Sequence, residues 1–314
     1  MRKVLLVLCL FLTACASHPP QAVSKPSSFD YMKLSDAQKE EYAVLKEYER
    51  VQAAEVDEYS KLLRNIGLSK NAEELGQILD ETIKDCRLSL NVYTKLLPTA
   101  FPLLYSTNDY EKILTHLKAS ASADFPEIDS DYIIKYVPKD KGRLYPVAFY
   151  GGGNELYINQ YSYSEGEILF TTLAREAYPG RLYQAAYSED KPPVVREIAE
   201  NYKSYINGYS AYAEYYSYKW SELPPEYIKA AQNMMLLSLC EAAKKELDER
   251  KPPHYVSYAG GLLEILELKE TVDYPDKDFH EFLLGQAAFP FDTIKSNLNV
   301  WIFLKWLEKN NPSQ

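Results

Sequence analysis

LFTTLAREAYPGRLYQ, residues 169–184, combines an apolar helical pattern with a small group of charged residues. Its apolar residues recur at helical spacing, and Pro179-Gly180 ends the pattern. Arg175, Glu176 and Arg181 lie beside this stop. Because buried charges need partners, a Glu between two Arg in an apolar segment is expected either to complete a polar core or to form a functional site.

Three short β-rich stretches lie directly before this helix, between Asp131 and Tyr161: DYIIKYVP, LYPVAFYGG and NELYINQY. Pro, Gly and Asn separate them, which predicts a small antiparallel sheet. YGGGNE, residues 150–155, lacks the Gly-Lys-Ser/Thr of a phosphate loop and is interpreted as a hairpin turn.

Helical periodicity dominates the rest of the chain. Helices are predicted over residues 35–66, Ala72–Leu90, Tyr93–Leu104, Asp109–Ala119, Glu165–Tyr178, Pro193–Trp220, Pro225–Arg250, Tyr255–Glu270, Asp278–Leu284 and Phe291–Leu307. The predicted fold class is mainly α (α+β), a multi-helix body with one small antiparallel sheet before the Arg-Glu helix. Residues 30–310 show no second linker and no internal repeat, so a single domain is the simplest organisation.

The N-terminus has the features of a lipoprotein signal peptide. A positively charged start precedes an apolar run, Val4–Phe11, that is too short to span a bilayer. Leu12-Thr13-Ala14-Cys15 resembles the lipobox of bacterial lipoproteins, in which cleavage before the Cys leaves its thiol to be acylated. Residues 1–14 are predicted to be removed, and residues 15–29 to carry the lipid and form a flexible tether. The alternative is an ordinary cleaved signal with a chance Cys.

The composition limits the classes of partner. A formal charge of −10 gives no electrostatic reason to bind nucleic acid or anionic lipid. The expected location is the cell membrane or outer membrane, outside the cytoplasm, with attachment through lipid on Cys15. Cys86 and Cys240 lie in apolar helical contexts, where two buried thiols and one disulfide are equally compatible with the sequence.

Three blocks of sequence resemble a known family. YPVAFYGGGNELYINQYSYSEGEILFTTLAREAYPGRLYQAAY, residues 145–187, is similar to the central block of a bacterial family of metal-dependent hydrolases, domain of unknown function 885. That block contains Leu-Phe-Thr-Thr-Leu-Ala-His-Glu-x-x-Pro-Gly-His-x-x-Gln. Residues 207–214 resemble the family's Glu-Gly-Trp-Ala-x-Tyr-x-Glu helix, and residues 254–270, Phe279-His280 and 289–292 resemble its C-terminal block. The resemblance is strongest over residues 131–300 and implies a zinc-peptidase-like helical fold with a substrate cleft.

The metal ligands that the resemblance implies are replaced in this chain. The family's two His residues fall on Arg175 and Arg181, and the acid of its next helix falls on Asn207. An Arg keeps its proton at any ordinary pH, so its guanidinium cannot bind zinc. The three replacements together predict a site without a metal or another cofactor, in which only Glu176 remains.

Two interpretations of this group stay open. In one, Arg175, Glu176, Arg181 and Asn207 form a buried cluster of ion pairs in the place of the metal. In the other, the two Arg bind a peptide C-terminus or another carboxylate in an inherited cleft. The predicted binding residues are Arg175, Tyr178, Arg181, Gln184, Asn207, Tyr209, Tyr212, Tyr255, Tyr258 and His280.

The histidines of the chain are not expected to form a catalytic or metal site. His254 and His280 are candidates to replace the metal ligands, but no acid or Cys accompanies them at ligand spacing, so hydrogen-bonded structural roles are favoured. His116 is predicted to lie on the surface. Tyr209 and Tyr212 belong to a Tyr-rich helix that is expected to be packed on both sides.

The predicted function is that of a membrane-anchored surface lipoprotein, a catalytically inactive relative of zinc-dependent hydrolases or peptidases. It would bind a ligand or an unidentified protein partner in the inherited cleft. The alternative is an atypical, metal-independent hydrolase in which Glu176 is the general base and Arg175 or Arg181 holds a substrate carboxylate.

Overall fold

The computed structural model describes residues 57–96, 104–128, 131–161, 166–188, 201–286 and 289–310. The predicted signal peptide, Cys15 and the tether lie outside the described residues, as does the predicted helix start at Pro193. Within the described ranges the chain forms ten α-helices, two 3-10 helices and one three-stranded sheet. The predicted class, mainly α with a small β component, is confirmed.

Three of the helices begin with a recognisable start signal. Asp57 and Asp109 cap the first and third helices through their side chains, and Pro225 occupies the first turn of the seventh. The helices are α1 (Glu58–Asn65), α2 (Ala72–Leu96), α3 (Tyr110–Asp124), α4 (Gly166–Glu176), α5 (Arg181–Tyr187), α6 (Lys203–Ser217), α7 (Pro225–Asp248), α8 (His254–Glu270), α9 (Asp276–Gly285) and α10 (Phe291–Asn310). The strands are β1 (Ile133–Tyr136), β2 (Ala148–Gly152) and β3 (Glu155–Ile158), and the 3-10 helices are Lys139–Leu144 and Tyr218–Trp220.

The second helix differs from its prediction. Two helices, Ala72–Leu90 and Tyr93–Leu104, were expected, whereas α2 continues without a break to Leu96. Asn91 and Val92, at the expected break, are neither Gly nor Pro, so no residue there stops a helix that is already held by packing.

The sheet is mixed, which corrects the prediction of a purely antiparallel one. The strand order is β1-β3-β2, with β2 antiparallel to β3 and β1 parallel to β3. Gly152 and Gly153 have φ values of 101° and 57°, so the predicted hairpin turn uses backbone conformations that favour glycine. The connection from β1 to β2 contains a 3-10 helix, and this length allows β3 to lie between the two strands.

The helices that carry the site are packed around one close crossing. α4 lies between β2 and α6, α6 packs on α8, and α8 packs on α7. Where α6 crosses α8, a Cβ on Gly261 would lie 2.0 Å from the Ser204 carbonyl oxygen, and one on Gly208 would lie 2.4 Å from the Gly261 carbonyl carbon. Only glycine allows this approach, which places Asn207 of α6 beside residues of α8.

The two cysteines in the described ranges are buried free thiols, Cys86 on α2 and Cys240 on α7. Of the two possibilities left open by the sequence, the structure has the pair of thiols.

The last helix is buried only in part. Phe291, Ile294 and Leu298 of α10 pack into the core, whereas Val300, Phe303, Leu304 and Trp306 are exposed. None of the helices in the described ranges combines the length and the apolar character that a membrane span requires.

Candidate functional site

The Arg-Glu pair lies at a tight break between α4 and α5. Arg175 and Glu176 form the last turn of α4, a cis peptide bond joins Tyr178 to Pro179, and Arg181 begins α5. A Cβ on Gly180 would lie 1.8 Å from the Arg175 carbonyl oxygen, so only glycine fits at this turn. The Pro-Gly stop therefore returns the chain so closely that Arg181 faces the end of α4.

Arg175 is held between two carboxylates. Its Nε donates to Glu176 Oε1 at 3.1 Å, and its Nη1 donates to Glu214 Oε2 at 3.0 Å. The three residues are 5%, 6% and 3% exposed. Charge-assisted hydrogen bonds of this kind are the usual way in which a protein holds a buried guanidinium.

Arg181 connects the same carboxylate to α6 and α8. Its Nη2 donates to Asn207 Oδ1 at 2.6 Å and to the Tyr258 hydroxyl at 2.5 Å, and its Nε lies 3.9 Å from Glu176 Oε2. Asn207 Nδ2 in turn donates to Ser257 Oγ at 2.8 Å. The side chain of Arg181 is 17% exposed, so this side of the cluster reaches the surface.

The pKa values of the two carboxyl groups, those of Glu176 and Glu214, are shifted in opposite directions. Burial alone would raise the pKa of Glu176, but Arg181, Arg175 and the backbone N–H of Tyr150 outweigh it and hold the pKa below its ordinary value. Burial raises the pKa of Glu214 above its ordinary value, and Arg175 offsets this only in part. Glu176 is therefore the firmly ionised member of the cluster.

Two guanidinium groups and two carboxyl groups thus face one another in the buried cluster, here defined as Arg175, Glu176, Arg181, Asn207 and Glu214. This donor set does not fit zinc, which binds through neutral nitrogens, thiolates and carboxylates. Among the residues that the structure describes, no group of three or more His, Cys, Asp or Glu is arranged to hold a metal ion.

The structure brings together five of the residues singled out in the sequence: Arg175, Glu176, Arg181, Asn207 and Tyr258. The Tyr255 ring packs against His254, with 5.0 Å between ring centroids. Tyr178 and Gln184 are buried at 2% and 5% exposure, and the Tyr178 ring contacts Tyr132 and Tyr183.

Three other predicted binding residues lie in the core. Tyr209 is fully buried, and Tyr212 donates its hydroxyl to His280 Nε2 at 2.8 Å while His280 Nδ1 donates to the Asp124 carbonyl oxygen at 2.6 Å. The His280 ring stacks on Phe125 with 3.8 Å between centroids. Burial lowers the pKa of His280 to about 4, so the ring is neutral.

Glu214 is the cluster residue that sequence reasoning did not assign to the site. It follows Asn207 by seven residues on α6, so both lie on the same helix face, and this spacing was the available signal. His116, predicted to be a surface residue, is half-buried: its Nε2 lies 2.7 Å from the Trp220 carbonyl oxygen and its ring packs on Tyr105 and Phe170. His116 was predicted to lie on the surface because its neighbours in sequence are charged, and these neighbours give no sign of the apolar contact.

Comparison with known proteins gives a fold and no family. No protein-family model matches the chain, and no curated protein matches it. A candidate lipoprotein from Colwellia psychrerythraea has a similar fold, with a TM-score of 0.60 and 17% identity over 77% of this chain and 54% of that chain. A candidate lipoprotein of unknown function from Shewanella oneidensis gives a TM-score of 0.51 and 14% identity over 94% of this chain and 72% of that chain. The chain spans about half the length of the first protein. Identities this low show a shared fold alone.

Proposed function

We propose that the protein is a lipid-anchored envelope protein without hydrolytic activity, related to the hydrolases of domain of unknown function 885. The observation that supports this proposal is that Arg175, which falls on a metal-ligating His in the sequence resemblance, is paired with Glu176 and Glu214. The chain would keep the helices of a hydrolase and fill the metal site with a charge-balanced cluster.

The anchor is supported by the N-terminal sequence. Leu12-Thr13-Ala14-Cys15 has the pattern of a lipobox, and both similar structures are described as candidate lipoproteins. Acylation of Cys15 would place the domain at a membrane, outside the cytoplasm.

Glu176 is poorly suited to act as a general base. Both of its carboxylate oxygens face cations or N–H donors, and its pKa lies below the ordinary value. An efficient general base has a pKa near the working pH, which for a Glu requires a raised value. The geometry therefore favours a binding or scaffolding role over a hydrolase based on Glu176.

A ligand would meet the cluster at Arg181, because Arg175 is only 6% exposed in its side chain and Arg181 is 17% exposed. Tyr258 of α8 lies on the same side, within hydrogen-bond distance of Arg181. A carboxylate, such as a peptide C-terminus, is the ligand whose charge and shape suit the guanidinium of a partly exposed Arg.

Zinc binding tests the proposal. Wild type and a variant with the family's ligands restored, Arg175→His/Arg181→His/Asn207→Glu, are dialysed against zinc and then against a weak chelator. Elemental analysis is expected to find zinc in the restored variant alone, at about one ion per chain. Stoichiometric zinc in the wild type would contradict the proposal, and a restored variant that folds but takes up no zinc would contradict the inherited site.

The melting temperature of the wild-type protein tests whether it binds a carboxylate. Citrate is expected to raise the melting temperature of the wild type, and Arg181→Ala is expected to remove this shift. A wild-type melting curve that saturating citrate leaves unchanged would contradict carboxylate binding.

A further inference from the structure

Helix α10 has apolar side chains on two opposite sides. One side, with Phe291, Ile294 and Leu298, is buried in the core. The other side is here called the outer face of α10, and its exposed fractions are 58%, 57%, 51% and 54% for Val300, Phe303, Leu304 and Trp306. Residues 300, 303 and 304 share one face because they are three or four positions apart, and the Trp306 ring stacks on Phe303 with 6.3 Å between centroids.

The size of the outer face argues against a second protein chain as its occupant. Aromatic side chains have roughly 150–250 Å² of surface and Leu and Val have less, so the four residues, about half exposed, leave roughly 350 Å² of apolar surface in water. That is within the range of the largest patch on a soluble monomer, which is often functional. A stable protein interface covers about 800 Å² on each partner. The face is thus large enough to matter and small for a stable dimer.

The chemistry of the outer face suits the interface of a lipid bilayer. Trp and Phe are enriched at the level of the lipid headgroups, and lysines extend from the edges of such helices toward water. Lys309 borders this face because it is three positions after Trp306, and the exposed Glu308 borders it beside Leu304. Lys305 lies on the side of Leu298, with its Nζ 5.8 Å from the Trp301 ring centroid. A helix with apolar residues on one side and charged residues at its edges lies in the interface and does not cross it.

Two contacts fix the base of α10 to the segment that follows α1. The Phe291 N–H donates to the Gly67 carbonyl oxygen at 2.9 Å, and Lys295 Nζ donates to Ser69 Oγ at 3.0 Å. Gly67 follows α1, whose eight residues span about 12 Å.

We infer that the outer face of α10 lies against the lipid bilayer and orients the domain on it, with Phe303, Leu304 and Trp306 inserted among the headgroups. The inference takes from the proposed function only that the chain is held at a membrane. Because the chain as a whole is acidic, apolar insertion drives this contact and a negative membrane surface is not needed.

Vesicle flotation tests the inference on the mature chain from residue 15 carrying Cys15→Ser, which cannot be acylated. Phosphatidylcholine vesicles are expected to carry this protein upward in a density gradient. Adding Phe303→Ser/Leu304→Ser is expected to lower the partition coefficient roughly tenfold or more, because two apolar side chains leave the interface. Leu88→Ser/Val92→Ser on α2 is the matched control, since these residues are 56% and 54% exposed, and it is expected to float like its parent.

Three results would overturn the inference: no flotation of the Cys15→Ser protein, equal flotation of the outer-face variant, or an equal loss in the α2 control. A dimer in sedimentation velocity that Phe303→Ser/Leu304→Ser dissociates would assign the face to a second copy instead. Unchanged melting temperatures show that the variants are folded. Mass spectrometry of the wild type separately reports the lipid on Cys15, so a failure of the anchor and a failure of the α10 contact give different results.

Discussion

Arg175 is the residue on which the buried cluster depends most, because its guanidinium is shared by Glu176 and Glu214. An isolated charge in a protein interior costs several kcal/mol, so each member of such a cluster is stable only while its partners remain. Glu176 keeps Arg181 as a second cation, whereas among the described residues Arg175 is the cation within ion-pair distance of Glu214.

Arg175→Met is therefore expected to lower the free energy of unfolding by about 3–5 kcal/mol, because it strands Glu214. Combining it with Glu214→Gln is expected to recover about half of this loss or more, since the stranded group no longer carries a charge. Urea denaturation of the two single variants and the double variant measures the coupling. Arg87→Met, which breaks an exposed pair with Glu241, is the control and is expected to cost less than ~1 kcal/mol. Additive effects of Arg175→Met and Glu214→Gln would contradict the arrangement.

His280 is expected to make the fold sensitive to mild acid. Its pKa is lowered by burial to about 4, from an ordinary value of 6.5. Below pH 6.5 the unfolded chain binds a proton that the folded chain does not, so stability is fully present above 6.5 and is lost as the pH falls toward 4, by roughly 3 kcal/mol. Unfolding free energies measured across this range should lose most of this slope in His280→Gln, whatever its absolute stability, and keep it in His116→Gln. An unchanged slope in His280→Gln would assign the sensitivity to other groups.

At the scale of elements, the crossing of α6 and α8 holds the surface side of the cluster together. Asn207 comes directly before Gly208 on α6, and Tyr258 lies three residues before Gly261 on α8. Arg181 donates hydrogen bonds to both Asn207 and Tyr258. The distance between α6 and α8 therefore determines whether both hydrogen bonds can form.

Gly261→Ala is expected to lower the free energy of unfolding by about 3 kcal/mol, since its Cβ would meet the Ser204 carbonyl oxygen at 2.0 Å and force the helices apart. Gly285→Ala, at the end of α9, is the matched control, because a Cβ there meets nothing within 4 Å. Its effect should be within about 0.5 kcal/mol. Thermal and urea unfolding of both variants provide the comparison, and similar stabilities for the two would refute the close crossing.

At the scale of the whole molecule, the sequence predicts local features better than pairings between distant segments. The periodicity of α4, α7 and α8 located these helices to within a few residues, because an amphipathic pattern is a local property. The parallel pairing of β1 with β3 and the ion pair between Arg175 and Glu214 could not be predicted, since each depends on how elements far apart in sequence meet. Gly208 and Gly261 were visible as residues, but nothing local in the sequence shows that they contact each other.

The buried thiols of Cys86 and Cys240 allow the opening of the folded domain to be measured. Burial raises the pKa of both thiols, and the thiolate is the form that reacts with alkylating agents, so neither reacts while the fold is closed. With Cys9 removed in the signal peptide and Cys15 acylated, as the sequence predicts, they are the remaining cysteines of the chain. When maleimide is in sufficient excess for alkylation to outpace reclosing, the rate of labelling of the mature protein on intact cells would then be the rate at which the domain opens in the envelope.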